Sequence, residues 1–155
     1  MRIGFIGLGL MGHAATSRLV GRGHEVFGYD ILPEKVDAAA AHGVQLASSP
    51  SGVAANADCV MVSVTSTDAV REAVFGAGGV AESDGAGKVL IDLSTTEVPA
   101  TRDFAEELRA KNTMGWIDAP VSGGPEAAGT GTLAIMAGGS DADLAIGEPV
   151  LRELA

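Results

Sequence analysis

At 155 residues the chain has single-domain length and enough material to close a full core, with 46% hydrophobic and 19% charged residues. Its formal net charge of −10 argues against nucleic acid or an anionic membrane as a partner, since either would need a basic surface. Few aromatic and many alanine and glycine residues point to a core of small aliphatics under closely packed helices.

The elements follow one another with clear punctuation. Ile3, Phe5 and Ile6 form a short apolar run suited to a strand buried on both faces, and it stops at Gly7. After Gly12, residues Ala14, Ala15, Leu19 and Val20 recur at helical spacing until Gly21-Arg-Gly23. Glu25–Tyr29 reads as a second strand ending at Asp30. Pro33 suits a first helical turn, and Glu34–Ala41 continues that helix to Gly43. Val44–Leu46 reads as a short strand, and Ser49-Pro50 opens a brief helix through Asn56.

Asp58–Val64 is the next buried strand, rich in β-branched residues. Its one cysteine, Cys59, is read as a buried, inert thiol; one cysteine allows no disulfide framework within the chain, in keeping with a reducing compartment. Thr67 or Asp68 is the expected cap of a helix over Ala69–Phe75. Gly76–Gly87 reads as loop with a short helical turn, and Lys88–Leu93 as a strand. Thr96–Lys111 follows as an amphipathic helix carrying Phe104 and Leu108 on one side. Gly115–Asp118 is a short strand, Ala119–Gly131 a glycine- and proline-rich loop with a helical turn, and Leu133–Ala137 a strand. Asp141–Leu154 closes the chain as a helix capped by Ser140 or Asp141. Strands alternating with helices predict one α/β domain over residues 1–155, a doubly wound, mostly parallel sheet with helices on both faces.

Gly7-x-Gly9-x-x-Gly12 lies directly between the first strand and the first helix. In that setting Gly7 permits a tight turn, Gly9 lets the backbone approach a pyrophosphate, and Gly12 lets the helix pack on the strand. The first helical amides and the positive end of the helix dipole would face the phosphates. Asp30, 18 positions beyond Gly12, is placed to accept the ribose hydroxyls and to repel a 2′-phosphate, which favours NAD over NADP. A solvated aspartate at a strand end is the plain alternative. Ser63-Val-Thr65, Ser94-Thr95-Thr96 and Asp118–Gly124 fall at carboxyl ends of later strands, the edge where open α/β sheets bind ligands. In Ser122-Gly123-Gly124 the glycines could turn consecutive amides toward an anion, or could form an ordinary turn before a helix.

Three stretches, FIGLGLMG (Phe5–Gly12), IDLSTTE (Ile91–Glu97) and DAPVSGGPEAAGTGTLAIMAGG (Asp118–Gly139), resemble signatures of the β-hydroxyacid dehydrogenases, and the similarity spans essentially the whole chain. The resemblance implies a Rossmann-type NAD-binding domain of an oxidoreductase. That enzyme would reversibly oxidise a small 3-hydroxy acid to its semialdehyde or keto acid. It implies that the amides around Leu8, Gly9, Leu10, Met11 and Gly12 hold the pyrophosphate, that Gly7, Val64, Thr65 and Thr95 belong to the cofactor site, and that Ser122, Gly123 and Gly124 bind the substrate. Val64-Thr65 replaces the family's Leu-Pro pair, and the family's proline after the threonine is displaced to Pro99.

The family's proton-transferring lysine belongs to a Gly-x-x-x-Lys-x-x-x-Asn segment on a further helix. None of the three lysines here, Lys35, Lys88 and Lys111, has that setting, and all three read as solvated. His13, His24 and His42 are not placed by the sequence to reach a nicotinamide, and no group of residues has metal-ligand spacing. The expectation is an amino-terminal half that binds NAD, has no catalytic residue of its own, and lacks the family's C-terminal all-α domain. The full-length protein is expected to be a homo-oligomer. No charged segment leads into a long apolar stretch at the amino terminus, so a soluble cytoplasmic protein is expected. The competing readings are a non-catalytic dinucleotide sensor or scaffold, and a relative acting on 6-phosphogluconate-like substrates.

Overall fold

The computed structural model describes all residues, Met1–Ala155. Six strands, β1 (Arg2–Ile6), β2 (Glu25–Tyr29), β3 (Gln45–Leu46), β4 (Cys59–Val62), β5 (Val89–Asp92) and β6 (Gly115–Asp118), form one parallel sheet in the order β3-β2-β1-β4-β5-β6. Ile3 stands beside Val26 on one side and Cys59 on the other, so β1 is central. The predicted doubly wound, Rossmann-type α/β architecture is the observed one.

Each inner strand sends alternate side chains into two separate cores, which is why these segments read as continuous apolar runs. Ile3, Phe5, Met61, Ile91 and Ile117 face one core, where α1 (Leu10–Gly21), α2 (Pro33–Ala40), α6 (Gly124–Thr130) and α7 (Asp141–Leu154) contribute residues such as Leu19, Ala39, Ala128 and Leu154. Ile6, Val60, Val62, Leu90 and Trp116 face the other, covered by α3 (Pro50–Asn56), α4 (Thr67–Phe75) and α5 (Val98–Asn112) through Val53, Val70, Val74, Phe104 and Leu108. Arg18 donates to the Glu153 carbonyl and Arg22 pairs with its carboxylate at 2.9 Å, holding the end of α7 against α1. Arg109, at 2.6 Å from the buried Asp143, fastens the start of α7 to the end of α5.

Several expectations are corrected. Leu133–Ala137 does not join the main sheet: only Ala134–Ile135 (β8) is strand, paired antiparallel with β7 (Val121–Ser122) as a separate ribbon. Mutual bonds between Asp118 and Gly138, at 2.9 and 2.8 Å, fold this ribbon back over the end of β6. The segment Ala119–Gly131, read as a loop with a helical turn, has that turn as the two-turn α6, whose Ala128 is buried, and holds β7 as well. The cap of α4 is Ser66, whose hydroxyl accepts from Ala69 N–H, instead of Thr67 or Asp68. The first helix begins at Leu10, ahead of Gly12. The long helix begins at Val98, where Pro99 is tolerated because a first-turn residue has no intrahelical bond to donate.

Candidate functional site

The chain winds from β1 toward β2 and β3 on one side and crosses to β4, β5 and β6 on the other. Between β1 and β4 the direction reverses, and the carboxyl edge of the sheet opens into a crevice, as open α/β sheets do at such a switch point. A cleft of about 470 Å³ occupies it, with Gly7, Gly9, Asp30, Val64 and Thr65 among its lining residues. No helix is long and apolar enough to cross a membrane.

The three glycines do different things. Gly7 has a φ of +92°, and a Cβ there would stand 2.0 Å from the Ser63 carbonyl oxygen. A Cβ at Gly12 would lie 1.9 Å from the Gly7 carbonyl oxygen, so α1 packs directly on the turn that precedes it. A Cβ at Gly9 meets no atom within 4 Å, and the backbone there faces open space. The amides of Gly9, Leu10, Met11 and Gly12 donate to no protein group, and no side chain caps α1. Unpaired helical amides with the positive end of the helix dipole behind them, next to a backbone face that a side chain would fill, suit a diphosphate.

Asp30, at the end of β2, is fixed by two backbone donors. Leu8 N–H reaches one oxygen at 2.7 Å and Leu32 N–H the other at 2.8 Å. This separates Leu8 from the amides that follow: its N–H is taken by Asp30 and its side chain is buried in the core, and Gly7 N–H before it donates to the Tyr29 carbonyl at 3.0 Å. The free donors of the loop begin at Gly9. Each carboxylate oxygen keeps further acceptor capacity for a ribose hydroxyl.

Beyond β4 the edge is held by a chain of bonds that reading the sequence did not find. Val64 N–H donates to the Ser94 hydroxyl at 3.0 Å, and Ser94 N–H donates to the Asp92 carboxylate at 2.9 Å. Asp92 is fully buried and its second oxygen has no partner. Burial, with Asp118 a lesser contributor, pushes its pKa up to about 6 against the pull of Ser94. The available signal was a carboxylate inside the otherwise apolar run Val89–Leu93.

Thr95 is exposed at the end of β5, next to β4 in the sheet. Past β6, Ser122 and Gly123 are exposed, and Gly123 and Gly124 adopt φ values of +130° and +70°. Their amides donate to no protein group. The residues singled out from the sequence thus follow the sheet edge in spatial order, Asp30 after β2, Gly7–Gly12 after β1, Val64 and Thr65 after β4, Thr95 after β5, and Ser122–Gly124 beyond β6.

The cationic groups are elsewhere, with one exception. Lys35 lines the cleft at its Asp30 end. Lys88 is not simply solvated: it is half-buried and donates to the Ala54 carbonyl at 2.8 Å. Lys111 pairs with Glu107 at 3.0 Å and lies over the Phe75 ring. His13 and His42 meet edge to face at 4.6 Å, and His42 Nε2 is 2.9 Å from the Thr16 hydroxyl; burial and then His13 lower its pKa. His24 stands 3.5 Å from Glu153 at the far end of α1.

Residues 2–155 match the family described as the NAD binding domain of 6-phosphogluconate dehydrogenase. The chain is 36% identical to 2-(hydroxymethyl)glutarate dehydrogenase of Eubacterium barkeri over 97% of its own length and 50% of that protein's. It is 35% identical to the mitochondrial 3-hydroxyisobutyrate dehydrogenase of Rattus norvegicus over 96% of its length and 44% of that protein's. The solved structure of Mycobacterium tuberculosis 3-hydroxyisobutyrate dehydrogenase with L-serine superposes with a TM-score of 0.91 at 37% identity, covering 99% of this chain and 52% of that one. The chain spans about half the length of the curated relatives it matches.

Proposed function

The chain belongs to the family of the NAD binding domain of 6-phosphogluconate dehydrogenase, and we propose that it is the dinucleotide-binding domain of an NAD-dependent dehydrogenase acting on a small 3-hydroxy acid. The observation that carries this reading is the row of four unpaired amides, Gly9–Gly12, at the mouth of a crevice whose neighbouring wall presents the Asp30 carboxylate. The names of its relatives, dehydrogenases of 3-hydroxyisobutyrate and of 2-(hydroxymethyl)glutarate, support a small hydroxy acid as the substrate class.

In this reading the Gly9–Gly12 amides hold the pyrophosphate and Asp30 accepts from the adenosine ribose. A carboxylate fixed by two amides would meet a 2′-phosphate with repulsion, which favours NAD. Val64, Thr65 and Thr95 border the cofactor, and the free amides of Gly123 and Gly124, with Ser122, receive the substrate carboxylate. Bound NAD would supply the hydride acceptor. Oxidising a hydroxyl also requires a group that takes its proton. Of the histidines and lysines only Lys35 lines the crevice, and in this reading that proton is assigned to no residue of this chain.

The test is a titration of the chain with NADH and with NADPH by nicotinamide fluorescence. NADH should bind at least about tenfold more tightly (about 1.4 kcal/mol), and addition of 3-hydroxyisobutyrate with NAD should give no turnover. Binding of neither nucleotide removes the reading. Preference for NADPH removes the NAD assignment and leaves the fold-level role.

A further inference from the structure

We propose that Asp92 is a positioning residue of the crevice: through the hydroxyl of Ser94 it fixes the backbone at Val64, and with it the floor on which the dinucleotide lies. The inference rests on the cofactor reading above and adds a residue that touches neither cofactor nor substrate.

The geometry is that of a junction. The last ladder pairs of β4, β5 and β6 set Val62 beside Asp92 and Asp92 beside Asp118. Beyond them the sheet ends and the crevice begins. At this boundary the carbonyl of Asp92 accepts from Ala119 N–H at 2.8 Å, which ties β5 to the chain leaving β6. Its carboxylate accepts from Ser94 N–H at 2.9 Å, and Ser94 Oγ accepts from Val64 N–H at 3.0 Å, which ties β5 to the chain leaving β4. Val64 is the member of this chain of bonds that lines the cleft. The tie lies beyond the ladder bond from Leu93 N–H to the Val62 carbonyl, where the strands would otherwise part.

Simple structural anchoring does not account for the residue type. One oxygen suffices to hold Ser94 N–H, and the other is buried with no partner, an arrangement that costs free energy. A smaller or apolar side chain would relieve that cost and lose only the hold on Ser94. The return for the buried carboxylate is the fixed course of Val64 and Thr65 along the crevice.

The test measures NADH affinity by calorimetry for the wild-type chain, D92A, S94A, the D92A/S94A double variant and D92N, with the melting temperature of each. D92A and S94A should each weaken NADH by about tenfold, and the double variant should be no weaker than either alone, because both break one chain of bonds. D92N keeps an acceptor for Ser94 N–H and should restore affinity to within about threefold of wild type. Wild-type affinity in S94A, or losses that multiply in the double variant, would overturn the inference while leaving the cofactor reading intact. If D92A does not fold, S94A and D92N decide it in the same sense. A wild-type chain that binds no NADH overturns the cofactor reading and this inference together.

Discussion

The amide of Leu8 and the carboxylate of Asp30 are 2.7 Å apart, although 22 positions separate them in the chain. The residue proposed to meet the ribose is therefore bonded to the glycine turn that leads into α1. The turn after β1 and the end of β2 are thereby tied together, with Leu32 N–H donating to the other Asp30 oxygen at 2.8 Å.

Removing the Asp30 carboxylate consequently affects folding as well as binding. Asp30→Ala leaves the Leu8 and Leu32 amides unpaired and should lower stability by about 1–3 kcal/mol. NADH affinity should fall by roughly 10–100-fold, with discrimination against NADPH lost. Urea denaturation together with fluorescence titration of both nucleotides measures the two effects separately.

The glycines of the loop should divide by role. Gly12→Ala places a Cβ 1.9 Å from the Gly7 carbonyl oxygen and should destabilise the fold by several kcal/mol, about 3 or more, since backbone must move. Gly9→Ala meets nothing within 4 Å, and its φ of −67° is ordinary for any residue. It should melt within a few degrees of wild type and yet bind NADH much more weakly. A Gly9→Ala chain with full affinity would show that the backbone there does not face the cofactor.

Asp92 gives a pH dependence of definite sign. Its carboxyl titrates at about 6 in the fold against 3.8 as the ordinary value, so between these pH values the native chain holds a proton that the unfolded chain has released. Its contribution to stability is complete below about pH 4 and is lost as pH rises through about 6, by about 3 kcal/mol in all. Asp92→Asn cannot ionise. Denaturant midpoints from pH 4 to 8 should therefore show the stability of Asp92→Asn relative to wild type rising with pH up to about 6 and levelling off above it. Asp58 and Glu153, whose pKa values are lowered by Arg2 and Arg22, oppose the trend at the acid end in both proteins and cancel in the difference.

Cys59 should behave as a reporter of unfolding. It is buried in β4 and burial pushes its thiol up to about 12, so little thiolate exists at neutral pH. An aromatic disulfide reagent should modify it at the rate at which the chain opens, and at once in denaturant. Rapid reaction of the native chain would show that β4 is accessible.

The sequence by itself determined most of the elements and the glycine turn after β1. Glu25–Tyr29, Gly115–Asp118 and Asp141–Leu154 have the bounds read from local pattern, because a strand buried on both faces must be apolar throughout and a helix must be punctuated at its ends. Gly7 and Gly12 were legible for a related reason: a positive φ and a contact with a backbone oxygen exclude any side chain, and such demands are written at single positions. Only the tertiary structure decided which segments meet. The order β3-β2-β1-β4-β5-β6, the departure of Ala134–Ile135 into its own ribbon, the hold of Lys88 on Ala54, and the bonds from Asp30 to Leu8 and from Val64 through Ser94 to Asp92 join residues far apart in the chain. Hydrogen-bond partners of that kind are chosen by where the backbone brings donors and acceptors together. Patterns of apolar and polar residues along one segment carry no record of what arrives from another.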